Sequence, residues 1–298
     1  MQNASNSMRA TLIGTVAIVL WGILALLTAK TNGIGPFQLL FMTFSIGGSI
    51  GLFFLFSQGR DGLGKLQLPL KVWIFGVAGL FGYHFFYFTA LKHAPVEQAS
   101  LIAYLWPLLI VLFSAFLPGE KLRWFHIAGG LLGLAGAAAL VMDNQTESLA
   151  FSDDYTVGYL SAIACALIWS SYSVYNKTQA SVPTEAVAVF CILTALLSGM
   201  THLFTEEWIF PDPGQGLAIA GLGAGPVGLA FYAWDHGTKN GNIRLLGVWS
   251  YATPLLSTLV LIFFGFTEAS LILLLSCLLI CGGAALASLD LLTGKKRT

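Results

Sequence analysis

Residues 98–117 read QASLIAYLWPLLIVLFSAFL, and residues 245–264 read LLGVWSYATPLLSTLVLIFF. Each run is about as long as a helix needs to be to cross the hydrocarbon core of a bilayer, roughly 20 apolar residues. Each also places a tyrosine three residues ahead of a proline: Tyr104 and Pro107 in the first, Tyr251 and Pro254 in the second, related by an offset of 147. Proline inside a helix removes the bond to the carbonyl four residues back, here that of Ala103 or Ser250, and kinks the helix. Matched interruptions in two parts of one chain are the mark of an internal repeat.

Working outward, similar apolar runs bounded by charge, proline or glycine occupy about 10–29, 37–57, 72–91, 124–142, 157–176, 186–204, 215–234 and 269–289, making ten expected helices. The first follows a polar leader with Arg9 and has the look of a signal peptide, but it has a counterpart later in the chain and is kept as a span. The composition agrees: 56% of the 298 residues are hydrophobic and only 9% charged, against about 25% charged in a soluble domain. The mean hydropathy is +0.79. An ordinary cytosolic enzyme is excluded, and ten spans using about 200 residues leave no room for a sizeable extramembrane domain. With 14 basic and 14 acidic residues and no long basic tract, nucleic-acid binding is a poor reading.

The repeat extends beyond the two prolines. Trp21 matches Trp169 at an offset of 148, and AAAL at 137–140 echoes GAAL at 283–286 at 146. The division falls at 1–147 and 148–298, with five helices in each part. Because five is odd, a repeat that is parallel in sequence is inverted in the membrane. Lys and Arg set the expected orientation. With the N-terminus inside, Arg9, Arg60, Lys65, Lys71, Lys121, Arg123, Lys177, Lys239, Arg244, Lys295, Lys296 and Arg297 are cytoplasmic, and only Lys30 and Lys92 are outside. Both termini are therefore expected in the cytoplasm, and the 143–156 loop outside.

These features resemble the drug/metabolite transporter superfamily with two EamA-like repeats: paired five-helix halves, a Trp midway along each half's first helix, a Pro in each fourth helix, and Glu120 and Glu268 ahead of each last helix. The aromatic runs YHFFY at 83–87 and YLWP at 104–107 are most similar to those of its aromatic amino acid exporters. The resemblance implies a ten-helix, basket-shaped inner-membrane exporter that uses no cofactor, and the direction of transport comes from the family alone.

Depth along the helices sorts the aromatic residues. Trp73, Trp124, Trp208, Tyr155 and Tyr159 lie near helix ends, where an interfacial belt explains them. Trp21, Tyr83, Tyr87, Tyr104, Trp106, Trp169, Tyr172, Trp249 and Tyr251 lie deeper, where an indole N–H or phenol needs a partner, so they are the candidate substrate-binding residues. Helix packing is the competing explanation for each. Tyr83 and Tyr87 share a face. Tyr104 and Trp106 point about 200° apart on a regular helix, so both reach one cavity only if the backbone is distorted. Gly225 and Pro226, within the breaker-rich run 221–228, join Pro107 and Pro254 as candidate hinges. Gly47, Gly51, Gly129, Gly130, Gly133 and Gly136 read as packing faces. The chain is expected to be monomeric, with a homodimer through such faces as the alternative.

Ionisable groups are scarce inside the spans. His84 is the one deep candidate for a proton role, and no carboxylate lies in the middle of an expected helix. Lys30 and Lys177, near-equivalent positions, either snorkel to the surface or attract a substrate carboxylate. Glu120 and Glu268 read as helix caps. Cys165, Cys191, Cys277 and Cys281 read as packing residues, and no metal or catalytic motif is present. An exporter of aromatic amino acids leads. An EamA-type carrier of a sugar or purine derivative is the alternative, and a non-transporting scaffold comes third.

Overall fold

The computed structural model describes residues 2–118, 121–143, 152–266 and 268–289. Among the described residues there is no strand. Among these residues nine helices are long and apolar enough to cross a membrane: α1 (Ser5–Ala29), α2 (Pro36–Ser57), α3 (Leu70–His93), α4 (Val96–Phe116), α5 (Trp124–Met142), α6 (Asp153–Lys177), α7 (Ala186–Thr205), α8 (Pro213–Asn240) and α9 (Ile243–Phe263). In the tenth expected run lies α10 (Leu271–Ala287), apolar but, at 17 residues, shorter than those nine. The main departure is at α8, which runs past the expected end at 234 and so takes Asp235 into a helix. Glu120 lies outside the described residues. Glu268 is exposed, and α10 is instead capped by Ser270, whose Oγ accepts from the Leu273 N–H at 3.1 Å.

Four helices are irregular in matched pairs; α1 is also interrupted, at Ile23, whose N–H bonds to the Leu20 carbonyl at 3.2 Å, with no matching break in α6. Wide π turns replace regular α-helix at Ala78–Gly82 in α3 and at Gly225–Leu229 in α8, residue for residue 147 apart. The second was foreshadowed by Gly225 and Pro226. The first has no proline, and here Gly79 lies against the Tyr172 ring with no space for a Cβ. In α4 and α9 the ladder is interrupted at 104–105 and 250–251, ahead of Pro107 and Pro254. Tight bonds to the residue three back replace the usual ones: Leu105 N–H to Ile102 at 3.1 Å, and Tyr251 N–H to Val248 at 3.2 Å. A single bond links the two breaks: the Tyr251 hydroxyl of α9 accepts from the Leu108 N–H of α4 at 3.1 Å.

The packing has a regular pattern. α2 lies on α7, α4 on α9 and α5 on α10, while α1 packs on α8 and α3 on α6. Exchanging every helix for its counterpart in the other half leaves this set unchanged. The glycines seen as packing faces do pack within the chain: at Gly47 of α2 an added Cβ would lie 2.9 Å from the Gly228 Cα and 3.0 Å from the Gly223 carbonyl oxygen. The weaker contacts do not all follow the pattern. α6 packs on α8 and α5 on α9, but their counterparts, α1 on α3 and α10 on α4, make no extended contact among the described residues.

The chain's connections divide between two ends of the bundle. At the near end, where α1 begins, the Asn242 N–H donates to Thr11 Oγ1 at 2.8 Å and Lys65 Nζ lies 2.6 Å from Glu185 Oε1. Partial burial pushes the Glu185 carboxyl up, but the Lys65 ammonium, together with backbone and Gln58 hydrogen bonds, offsets this and holds it below its usual range. At the far end Glu206 Oε1 and Oε2 accept from the Phe37 and Gln38 N–H groups, each at 2.9 Å, capping α2 and tying it to the end of α7. Trp124 is 70% exposed and Trp208 44%, as interfacial residues should be. Tyr159 instead turns inward and donates to Gln98 Oε1 at 2.5 Å.

Candidate functional site

Each of α1, α4, α6 and α8 contributes one tryptophan to a single cluster: Trp21, Trp106, Trp169 and Trp234. All six pairs are in ring contact, with centroids 5.1–6.4 Å apart. Most meet edge to face, the geometry that aromatic quadrupoles favour, while Trp169 and Trp234 are near-parallel at 22°. Two N–H groups are spoken for. Trp21 donates to the Pro226 carbonyl in the α8 π turn at 3.1 Å, and Trp234 to Ser173 Oγ at 3.1 Å.

The cluster continues through α3. Tyr83 meets Trp169 at 5.4 Å and lies parallel to Tyr87, with centroids 6.0 Å apart and planes 3° off. Tyr172 meets Trp169 at 5.4 Å. Ser100 of α4 lies near the Tyr87 phenol, and the Tyr104 phenol is close enough to those of Tyr83 and Tyr87 to interact electrostatically with them. The α4 break thus sends Trp106 to the tryptophans and Tyr104 to the tyrosines, as the distortion expected around Pro107 requires. Among the described residues, the N–H groups of Trp106 and Trp169 and the hydroxyls of Tyr83 and Tyr104 have no hydrogen-bond partner. Yet none of these atoms is among the enclosed, unsatisfied ones, so each keeps accessible surface. An aromatic surface with uncommitted donors is suited to a flat ring bearing a polar end.

His84 is partly buried, with Nδ1 2.7 Å from the Leu80 carbonyl in the α3 π turn and its ring edge-on to Phe44 at 5.2 Å. Trp249 is partly buried and packs on the main core. Tyr251 is fully buried elsewhere, with Leu255, Leu273 and Ile280. Its hydroxyl serves the α4 break, so the structure does not bring it to the tryptophans. Lys30 is exposed at the far end, beside Asn32, Asp212 and Gln215. Lys177 Nζ donates to the Gly241 carbonyl at 2.5 Å, at the near end.

Three residues of the site were not foreseen: Trp234, Phe231 and Phe44. Phe231 stacks on Phe44 at 5.5 Å and meets Trp21 at 6.1 Å. A signal was available, because the offset of 147 pairs Trp234 with Tyr87 and Phe231 with His84. Asp235 follows directly and is 1% exposed, a buried carboxylate near the end of α8 and not in its middle. Outside the cluster, an almost wholly apolar groove of about 860 Å³ runs along α3, α6 and α7 over Ala78, Gly79 and Gly82. It is divided from Trp169 by the Tyr172 ring.

An all-helical, multi-pass membrane bundle with matched interruptions around an aromatic centre defines a transporter of the EamA type. The model of the EamA-like transporter family matches the chain twice, over residues 8–142 and 156–289, and the chain belongs to that family. Among its relatives, the aromatic amino acid exporter YddG of Ancylobacter novellus is 54% identical over 280 residues, covering 94% of this chain and 97% of the relative. The aromatic amino acid exporter YddG of Escherichia coli is 29% identical over 290 residues, covering 93% and 96%. A solved crystal structure, 53% identical, superposes with a TM-score of 0.90 over 95% of this chain and 98% of its own.

Proposed function

We propose that this chain is an inner-membrane secondary transporter that exports aromatic amino acids by alternating access. The observation that carries the reading is the four-tryptophan cluster, continued by Tyr83, Tyr87 and Tyr104, with donors left uncommitted. The ring of the substrate stacks on the indoles, and its ammonium and carboxylate groups bond to phenols and indole N–H groups. The exporters so named among the relatives, similar along nearly their whole length, support the same substrate class.

The architecture is ten helices in two inverted repeats, 1–147 and 148–298. The paired π turns, the paired breaks in α4 and α9 and the exchange-invariant packing support it. The Lys and Arg bias puts the near end and both termini in the cytoplasm. The protein works as a monomer, since its glycine faces are used within the chain. Transport is facilitated, driven by the substrate's own gradient: the His84 Nδ1 is held by a backbone carbonyl, and Asp235 is paired with a lysine.

The test is efflux from cells preloaded with labelled phenylalanine. Expression should speed release, and Trp106→Ala and Trp169→Ala should each abolish the gain at equal membrane abundance. Efflux unaltered by either substitution would move the site elsewhere.

A further inference from the structure

Asp235 sits one residue past Trp234, at the near end of α8, and is 1% exposed, while Lys239 one turn later is 5% exposed. Lys239 Nζ lies 2.8 Å from the Asp235 carboxylate. The remaining bonds leave the helix. Thr184 Oγ1 donates to Asp235 Oδ2 at 2.6 Å. Asn176 Nδ2 of α6 reaches Asp235 Oδ1 at 3.1 Å and Thr238 Oγ1 at 2.9 Å. Lys239 Nζ also donates to the Val182 carbonyl at 2.9 Å. This one cluster therefore fastens α8 to α6 and to the α6–α7 connection. It lies where α6 and α8 are packed together, the contact that α1 and α3 lack at the far end.

The repeat shows that the cluster is peculiar to one end. At the offset of 147, Thr184 corresponds to Phe37, Asp235 to Phe88 and Lys239 to Lys92. Phe37 and Phe88 also meet, ring to ring at 6.1 Å, and Lys92 is exposed. The same two positions are thus bridged by a hydrogen-bonded ion pair at one end and by an aromatic contact at the other.

We propose that Asp235, Lys239, Asn176 and Thr184 form the latch of the cytoplasmic gate. The sidedness rests on the orientation given under Proposed function; the latch itself does not depend on which solute is carried. Its chemistry suits repeated opening. Both charges ride on α8, four residues apart, so parting α8 from α6 separates neither from its counter-ion. Only the cross-helix hydrogen bonds are exchanged for bonds to water. A salt bridge made across the gap would leave two uncompensated charges at each opening. Among the described residues the aromatic far end has no such latch, so the two ends open against different interactions, and at the latched end α6 and α8 are packed together in this structure.

The experiment measures spin-label distances between Ser181→Cys and Asn240→Cys, both exposed positions flanking the latch, with the four native cysteines replaced by alanine. The protein is in nanodiscs without substrate, so the result stands apart from the substrate reading. The unsubstituted latch should give mainly one short distance. Thr184→Val, which removes one cross-helix bond and keeps the ion pair, should raise the long-distance population about three- to five-fold. Asp235→Asn, which strands Lys239 in a buried site, should make the long distance dominant. Adding Lys239→Met to Asp235→Asn should restore the short one. Distance distributions that do not change in Thr184→Val or Asp235→Asn would overturn the latch.

Discussion

Replacing Trp169 by leucine separates a binding role from a packing role. Trp169 is 3% exposed and touches six rings: Trp21, Trp106, Trp234, Tyr83, Tyr172 and Phe231, at 5.4–6.4 Å. Aromatic pairs are worth about 0.5–1.5 kcal/mol each beyond area, so six would nominally contribute about 3–9 kcal/mol. Leucine keeps much of the dispersion, and inside a membrane no hydrophobic transfer is lost, so the stability cost falls to about 2–4 kcal/mol. A substrate ring that makes one more contact of this kind loses about 0.5–1.5 kcal/mol, which is about a 2- to 13-fold rise in Kd. Scintillation-proximity binding of labelled tryptophan in detergent reads the Kd, and thermal unfolding of the same sample reads the stability. Trp124→Leu, 70% exposed at a helix end, should change neither. A Trp169→Leu protein that melts earlier but binds tryptophan with unchanged Kd would refute the reasoning and leave Trp169 as packing alone.

Three further outcomes are expected. Gly47→Ala puts a methyl 2.9 Å from the Gly228 Cα; contact distance is about 3.7 Å, so α2 and α8 must separate by nearly an ångström at a cost of about 1–3 kcal/mol, read as a lower Tm. In intact cells, an impermeant thiol reagent should modify Ser152→Cys in a cysteine-free background; labelling only after the cells are opened would reverse the topology. A pH gradient across proteoliposomes, with no amino acid gradient, should drive no net movement in wild type or in His84→Gln; uphill movement would establish proton coupling, and its loss in His84→Gln would locate the group.

Much of the fold was legible in the sequence because a bilayer imposes one rule on each span: about 20 apolar residues with every backbone group satisfied internally. The Tyr and Pro pairs marked the breaks in α4 and α9 for the same reason, since a missing N–H acts wherever the chain folds. The α3 π turn was not legible, because it arises where Gly79 meets the Tyr172 ring, a contact between distant segments. The site was read in part. Trp21, Trp106, Trp169 and Tyr83 are deep by sequence position, and the structure joins them. Trp234 was hidden by the expected end of helix eight, drawn where Asp235 begins a polar stretch. That carboxylate is tolerated inside α8 because Lys239, Asn176 and Thr184 surround it, which hydropathy along one segment does not register. Tyr251 looked equivalent to Tyr104 by repeat, but only one of the two faces the centre.

The central claim is that the tryptophan and tyrosine cluster carries aromatic amino acids across the membrane. Counterflow into proteoliposomes tests it most directly: vesicles holding the purified protein are loaded with unlabelled tryptophan, and entry of labelled tryptophan is followed with phenylalanine, a hexose or a purine base as external competitor. Rapid labelled entry is expected, suppressed by phenylalanine and not by the hexose or the base, and abolished in Trp169→Ala. Absence of counterflow in well-reconstituted wild type, or suppression by the hexose or the base in place of phenylalanine, would contradict it.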